Sequence, residues 1–107
     1  MSNEFMGKTA IISGAAGGIG LAIAEALAEQ GMNIAMADID KAALIASGEA
    51  MQAKGYNVIT CSLDVTDYSQ WEDVVANAQD KFGKVHMVVN NAGVGGASGK
   101  IEDAEHE

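Results

Sequence analysis

A chain of 107 residues, 49% hydrophobic and 20% charged, suffices for one packed unit and is too apolar for a disordered polymer. Six basic residues against fifteen acidic ones leave a net charge of −9, which argues against nucleic acid or an anionic membrane surface as partner. Cys61 is the single cysteine, so no internal disulfide framework exists. No apolar run reaches the length of a membrane span, and Met1-Ser2-Asn3-Glu4-Phe5 lacks the basic-then-apolar pattern of a secretory signal. The expected location is cytoplasmic.

Apolar runs and helical patterns alternate along the chain, and glycines separate them. Lys8 to Ser13 reads as a first strand running straight into a glycine cluster. Gly18 to Gln30 is an alanine-rich helix, with Ile19, Ile23 and Leu27 at four-residue spacing and Gly31 just past its end. Asn33 to Asp38 is a second strand. Asp40 can cap a helix through about Lys54, closed by Gly55. Asn57 to Leu63 is a third strand. Between Tyr68 and Phe82 the apolar residues Trp71, Val74, Val75, Ala78 and Phe82 mark one helix face, and Gly83 ends it. Val85 to Asn90 is a fourth strand. Val94 to Lys100 reads as a loop, and the acidic Ile101–Glu107 as a solvated tail.

The strands are continuously apolar rather than alternating, which indicates a parallel sheet with helices on both faces. Right-handed crossovers then give an α/β, doubly wound sheet of four strands in the order 3-2-1-4, with three helices. One unit over residues 1–107 is expected. The fourth strand would stand at an edge, with Val85, Met87, Val88 and Val89 open to another chain.

Ligands of such sheets sit beyond the carboxyl ends of the strands, where the strand order reverses. The notable clusters of this chain fall there. Ser13-Gly14-Ala15-Ala16-Gly17-Gly18-Ile19-Gly20 joins the first strand to the first helix. Glycine lets the backbone approach a diphosphate, and the helix aims free N–H groups and a positive dipole end at it. The competing reading is a tight structural turn. The spacing of Gly14, Gly18 and Gly20 fits neither Gly-x-Gly-x-x-Gly nor a P-loop. Asp38, closing the second strand, can accept both hydroxyls of an adenosine ribose and would repel a 2′-phosphate; otherwise it is an exposed or capping carboxylate. No arginine lies near it, and Lys41 is the nearby cation. Asp64, with the Val65 backbone beside it, can take an adenine amino group or close an Asx-turn. Asn90-Asn91-Ala92-Gly93 follows the fourth strand; without context it is only a turn.

Taken together, these motifs resemble the N-terminal part of the short-chain dehydrogenase/reductase family, with its Thr-Gly-x-x-x-Gly-Ile-Gly loop and Asn-Asn-Ala-Gly turn. Ser13 stands where the family has threonine; Gly14, Gly18, Ile19 and Gly20 match, as do Asp64-Val65 and Asn90 to Gly93. His86 replaces an acidic residue, with little effect expected. The resemblance implies a Rossmann-type fold, hydride transfer between a nicotinamide and a small alcohol or carbonyl, and homo-oligomers. It implies NAD, with NADP disfavoured by Asp38, and cofactor contacts from Gly14, Gly17, Gly18, Ile19, Gly20, Asp38, Asp64, Val65, Asn90, Ala92 and Gly93. The family's acid/base tyrosine has a lysine four residues on, whereas Tyr56 and Tyr68 are followed there by Thr60 and Glu72. The chain is therefore expected to be the cofactor half of a truncated enzyme, inactive by itself.

Two other classes stay open: a non-catalytic module binding NAD(H) or an adenosine nucleotide, and an S-adenosylmethionine methyltransferase, which the Asn-Asn-Ala-Gly turn argues against. Cys61 reads as a small core residue, and His86 and His106 lack companions for a metal site.

Overall fold

The computed structural model describes residues 4–91. Within it the elements run β1 (Thr9–Ser13), α1 (Gly18–Glu29), β2 (Asn33–Asp38), α2 (Lys41–Ala53), β3 (Val58–Ser62), α3 (Tyr68–Phe82) and β4 (Met87–Asn90). The four strands form one parallel sheet in the order β3-β2-β1-β4, as expected from crossover handedness.

Pleating divides the core in two. Ala10 and Ile12 of β1, Ile34 and Met36 of β2 and Val58 of β3 face α1 and α2. Ile11, Ala35, Ala37 and Cys61 face α3, where Val74 and Ala78 are buried. Both faces of β1 are covered, so all five of its residues are buried, the polar Thr9 and Ser13 included.

Helix α1 meets the sheet through a stripe different from the Ile19-Ile23-Leu27 row. Its buried residues are Gly20, Ala24 and Ala28, while Ile19 is 71% exposed. Small residues at four-residue spacing let the helix backbone settle close to the strands; Leu21, Ile23 and Leu27 then pack alongside. In α2, Gly48 serves the same end, since a Cβ there would lie 2.4 Å from Cγ2 of Thr60 on β3.

Strand β4 begins two residues later than the apolar run suggests. The His86 N–H donates to the Thr9 carbonyl (2.9 Å), but the Thr9 N–H donates to the imidazole Nδ1 of His86 (3.1 Å). A side chain thus takes a rung that a strand backbone would have supplied. Val85 remains packed against the α3-side core.

Candidate functional site

The register brings the carboxyl ends of the strands into line. Ser13 pairs with Ala37 of β2 and with Asn90 of β4, and Asp38 pairs with Ser62 of β3. The turn after β1 therefore leaves the sheet at the reversal of strand order. Ser13 Oγ ties the junction together by donating to Asn90 Oδ1 at 2.8 Å.

Two glycines of this turn have left-handed backbones, Gly14 (φ 66°) and Gly18 (φ 60°). Gly17 is extended and stands at the N-cap of α1, where no side chain caps the helix. The other two helices are capped, α2 by Asp40 accepting from the Ala43 N–H and α3 by Asp67 accepting from the Ser69 N–H. Helix α1 thus presents its first amides and positive dipole end without a carboxylate or hydroxyl cap of its own. Among the described residues, a Cβ built at Gly17 or Gly18 would meet nothing within 4 Å. Gly20 is the opposite case. Its Cβ would lie 1.9 Å from the Gly14 carbonyl oxygen and 2.8 Å from Asn91 Nδ2. Asn91 Nδ2 itself donates to the Gly14 carbonyl (3.3 Å).

The Asp38 carboxylate reaches the same turn. Oδ2 accepts from the Ala16 N–H and Oδ1 from the Asp40 N–H, each at 3.0 Å. A carboxylate offers about four lone-pair sites, so two donors fix its orientation and leave acceptor capacity for more. The Ala16 carbonyl is held from the other side by Ser47 Oγ of α2, at 2.6 Å. The Ala15 N–H donates to the Ala37 carbonyl at 3.1 Å, which pins the turn to β2.

At the end of β3, Asp64 forms the Asx-type turn that competed with a ligand role. Its Oδ1 accepts from Thr66 Oγ1 (2.7 Å) and from the Thr66 N–H (3.0 Å). The Thr66 hydroxyl, then the Thr66 amide, holds this carboxyl below the ordinary carboxylate range. The Val65 carbonyl accepts from Trp71 Nε1 at 3.1 Å. The Leu63 N–H donates to the Asp38 carbonyl, which joins this loop to the end of β2 (3.0 Å).

Of the residues expected at a site, Gly14, Gly17, Gly18, Ile19, Gly20, Asp38 and Asn90 belong to the β1 turn, the helix start and the adjoining strand ends. Asp64 and Val65 lie past the end of β3, and Ala92 and Gly93 fall outside the described residues. Sequence reasoning overlooked Ala16 and Ser47, whose contact spans 31 residues, and Ile39, 66% exposed directly after Asp38. An apolar residue following a strand-end carboxylate was the legible signal for Ile39; nothing local announced Ser47.

The arrangement sets an electropositive helix terminus beside a fixed, acceptor-rich carboxylate, with two exposed isoleucines, Ile19 and Ile39, flanking them in sequence. It can take an anionic group at the first and a pair of hydroxyls at the second. Among the described residues, no three His, Cys, Asp or Glu side chains gather as a metal would need, and no helix is long and apolar enough to cross a membrane.

A doubly wound parallel sheet with a glycine turn at its point of strand-order reversal defines the Rossmann-type class. Within that class, the chain belongs to the short chain dehydrogenase family, which it matches over residues 8–107. It is 42% identical to a diacetyl reductase, (S)-acetoin forming, of Staphylococcus epidermidis, over 95% of this chain and 40% of that protein. A short chain dehydrogenase/reductase from Burkholderia phymatum, solved in complex with NAD, superposes with a TM-score of 0.78 at 39% identity, covering 82% of this chain and 31% of that one. L-Sorbose reductase from Gluconobacter frateurii, complexed with NADPH and L-sorbose, gives 0.79 at 33% identity, over 85% and 35% of the two chains. The chain thus spans about two-fifths of the length of the curated relative.

Proposed function

We propose that these 107 residues form one cofactor-holding unit of an NAD-dependent short-chain oxidoreductase acting on a small alcohol or carbonyl compound. The observation that carries this reading is the hydrogen bond from the Ala16 amide to Asp38, which couples the glycine turn to the strand-end carboxylate. NAD, when bound, supplies the hydride acceptor of alcohol oxidation, and NADH the donor of the reverse reaction. The chain's own part is to bind and orient. The amides of Gly18, Ile19 and Gly20 at the α1 terminus hold the diphosphate. Asp38 accepts from the adenosine ribose hydroxyls, and Ile39 packs against the base. Asp64 and Val65 border the adenine, with the second Asp64 oxygen available for its amino group. Asn90, at the end of β4, borders the path toward the nicotinamide end; Ala92 and Gly93, which the family motif assigns to the cofactor, lie outside the described residues.

A 2′-phosphate would bring negative charge against Asp38, and the chain contains no arginine to offset it. NAD is therefore preferred, although relatives with NAD and with NADPH both exist. In calorimetric titration NAD should bind at least about tenfold tighter than NADP, a difference of roughly 1.4 kcal/mol. Asp38→Ala should weaken NAD by a similar factor and erase the preference. Equal affinities in the parent protein would overturn the NAD assignment. Because neither Tyr56 nor Tyr68 has a lysine four residues on, the 107-residue chain should bind cofactor without turnover. Measurable alcohol oxidation by the purified chain would count decisively against that.

A further inference from the structure

We infer that Ser47, on the second helix, is a positioning residue that sets the shape of the nucleotide-binding turn. A serine inside a helix ordinarily returns its hydroxyl to a carbonyl of its own preceding turn, or to water. Ser47 Oγ instead donates at 2.6 Å to the carbonyl of Ala16, 31 residues earlier. Ala16 is thereby gripped through both of its polar backbone atoms, since its N–H goes to Asp38 Oδ2. Two side chains from different elements, one on β2 and one on α2, thus hold a single residue in the middle of the Gly14–Gly17 turn.

The packing of α2 makes this reach possible. Gly48, the next residue, lets α2 lie so close to β3 that a Cβ would collide with Thr60 Cγ2 at 2.4 Å. The depth at which α2 sits is therefore fixed by its neighbour on the sheet, and Ser47 is carried to the turn with it. The Ala16 carbonyl is an obligatory acceptor, and Ser47 satisfies it from a half-buried position. Without the hydroxyl, the Ala16–Gly17 peptide that carries this carbonyl is free to rotate, and the preceding Ala15–Ala16 peptide, whose N–H orients Asp38, is left with one anchor fewer on the same residue. The consequence for a ligand is entropic: an untethered turn must be ordered on binding.

This role presupposes the nicotinamide-nucleotide site proposed above. Three proteins test it: the parent chain, Ser47→Ala and Ser47→Thr. Threonine keeps the hydroxyl, and Ser47 borders a groove of about 250 Å³ between α1 and α2. Ligand-free amide exchange followed by NMR should speed up about tenfold at Ala16 in Ser47→Ala, while the amides of β1 and β2 keep their parent rates. Ser47→Thr should restore slow exchange. By calorimetry, the NAD dissociation constant should rise roughly three- to tenfold in Ser47→Ala and return toward the parent value in Ser47→Thr. Unchanged exchange at Ala16, or unchanged NAD affinity in a parent chain that binds NAD, overturns the role of Ser47 while leaving the function intact. Uniform acceleration at every amide marks Ser47 as a mere stability residue and also overturns it. A parent chain that binds neither NAD nor NADP overturns the functional reading itself, and the cofactor role of Ser47 with it.

Discussion

Gly20 is the residue at which sequence and site meet most directly. Its side of α1 lies against the carbonyl of Gly14, so a single methyl group has no place to go. The closest clash is with the Gly14 backbone carbonyl, which cannot swing away as the end of a flexible side chain would. Gly20→Ala should therefore cost about 1–3 kcal/mol despite the better helix propensity of alanine, and should weaken NAD binding at least tenfold by pushing the turn off α1. Urea denaturation and calorimetry would check both; a variant as stable as the parent and equally able to bind would refute the close-approach argument. Gly17, by contrast, would bring an added Cβ within 4 Å of no atom of the described residues.

At the scale of elements, the three helix starts differ in how their first amides are met. Asp40 and Asp67 cap α2 and α3, whereas α1 begins on Gly17 with its terminus uncapped. The Asp67 carboxylate accepts from the Ser69 hydroxyl and amide and from Gln70, and these bonds, the Ser69 hydroxyl first, hold its carboxyl below the ordinary range. A depressed carboxyl contributes stability that is present above its unfolded pKa and lost as pH falls through the folded value. For Asp64 and Asp67, both shifted downward, the loss belongs below about pH 4. Asp67→Ala should lower the melting temperature by a few degrees at neutral pH, with the gap narrowing as the buffer is taken through that window. A gap independent of pH would show that the capping charge contributes nothing.

The whole molecule is unevenly covered. Residues of β1 are sealed between α1 and α3, but β4 is at best half-buried, and Val88, which pairs with Ile11 and so faces the α3 side, is 54% exposed. Among the described residues β4 pairs with β1 alone. An open parallel edge with an apolar face recruits further chain. The purified 107-residue chain should accordingly self-associate at micromolar concentration in sedimentation velocity, and Val88→Lys should shift it toward monomer without loss of the fold. A monodisperse parent chain would show that the edge is covered.

Much of this was legible in one dimension because it depends on local periodicity. Seven elements, their order and their parallel pairing follow from apolar runs, helical spacing and glycine punctuation, and crossover handedness then leaves few sheets to choose from. The glycine turn, Asp38 and the Asn90-Asn91 pair could be placed together because strand ends of a parallel sheet lie on one edge. Asp64 was ambiguous between turn and ligand, and its hydrogen bonds realise the turn without using its second oxygen.

What the amino-acid sequence determined by itself was the alternation of strands and helices, the family motifs and the acidic residue that closes the second strand, since each is written in spacing and residue type. Only the tertiary structure decided that Gly20, Ala24 and Ala28 rather than Ile19 face the sheet, that His86 completes a rung with its side chain, and that Ser47 and Asp38 hold Ala16 between them. Those outcomes depend on how closely backbones approach and on which polar groups then find each other across 20 to 80 residues of chain, roughly the separations over which no local pattern can report.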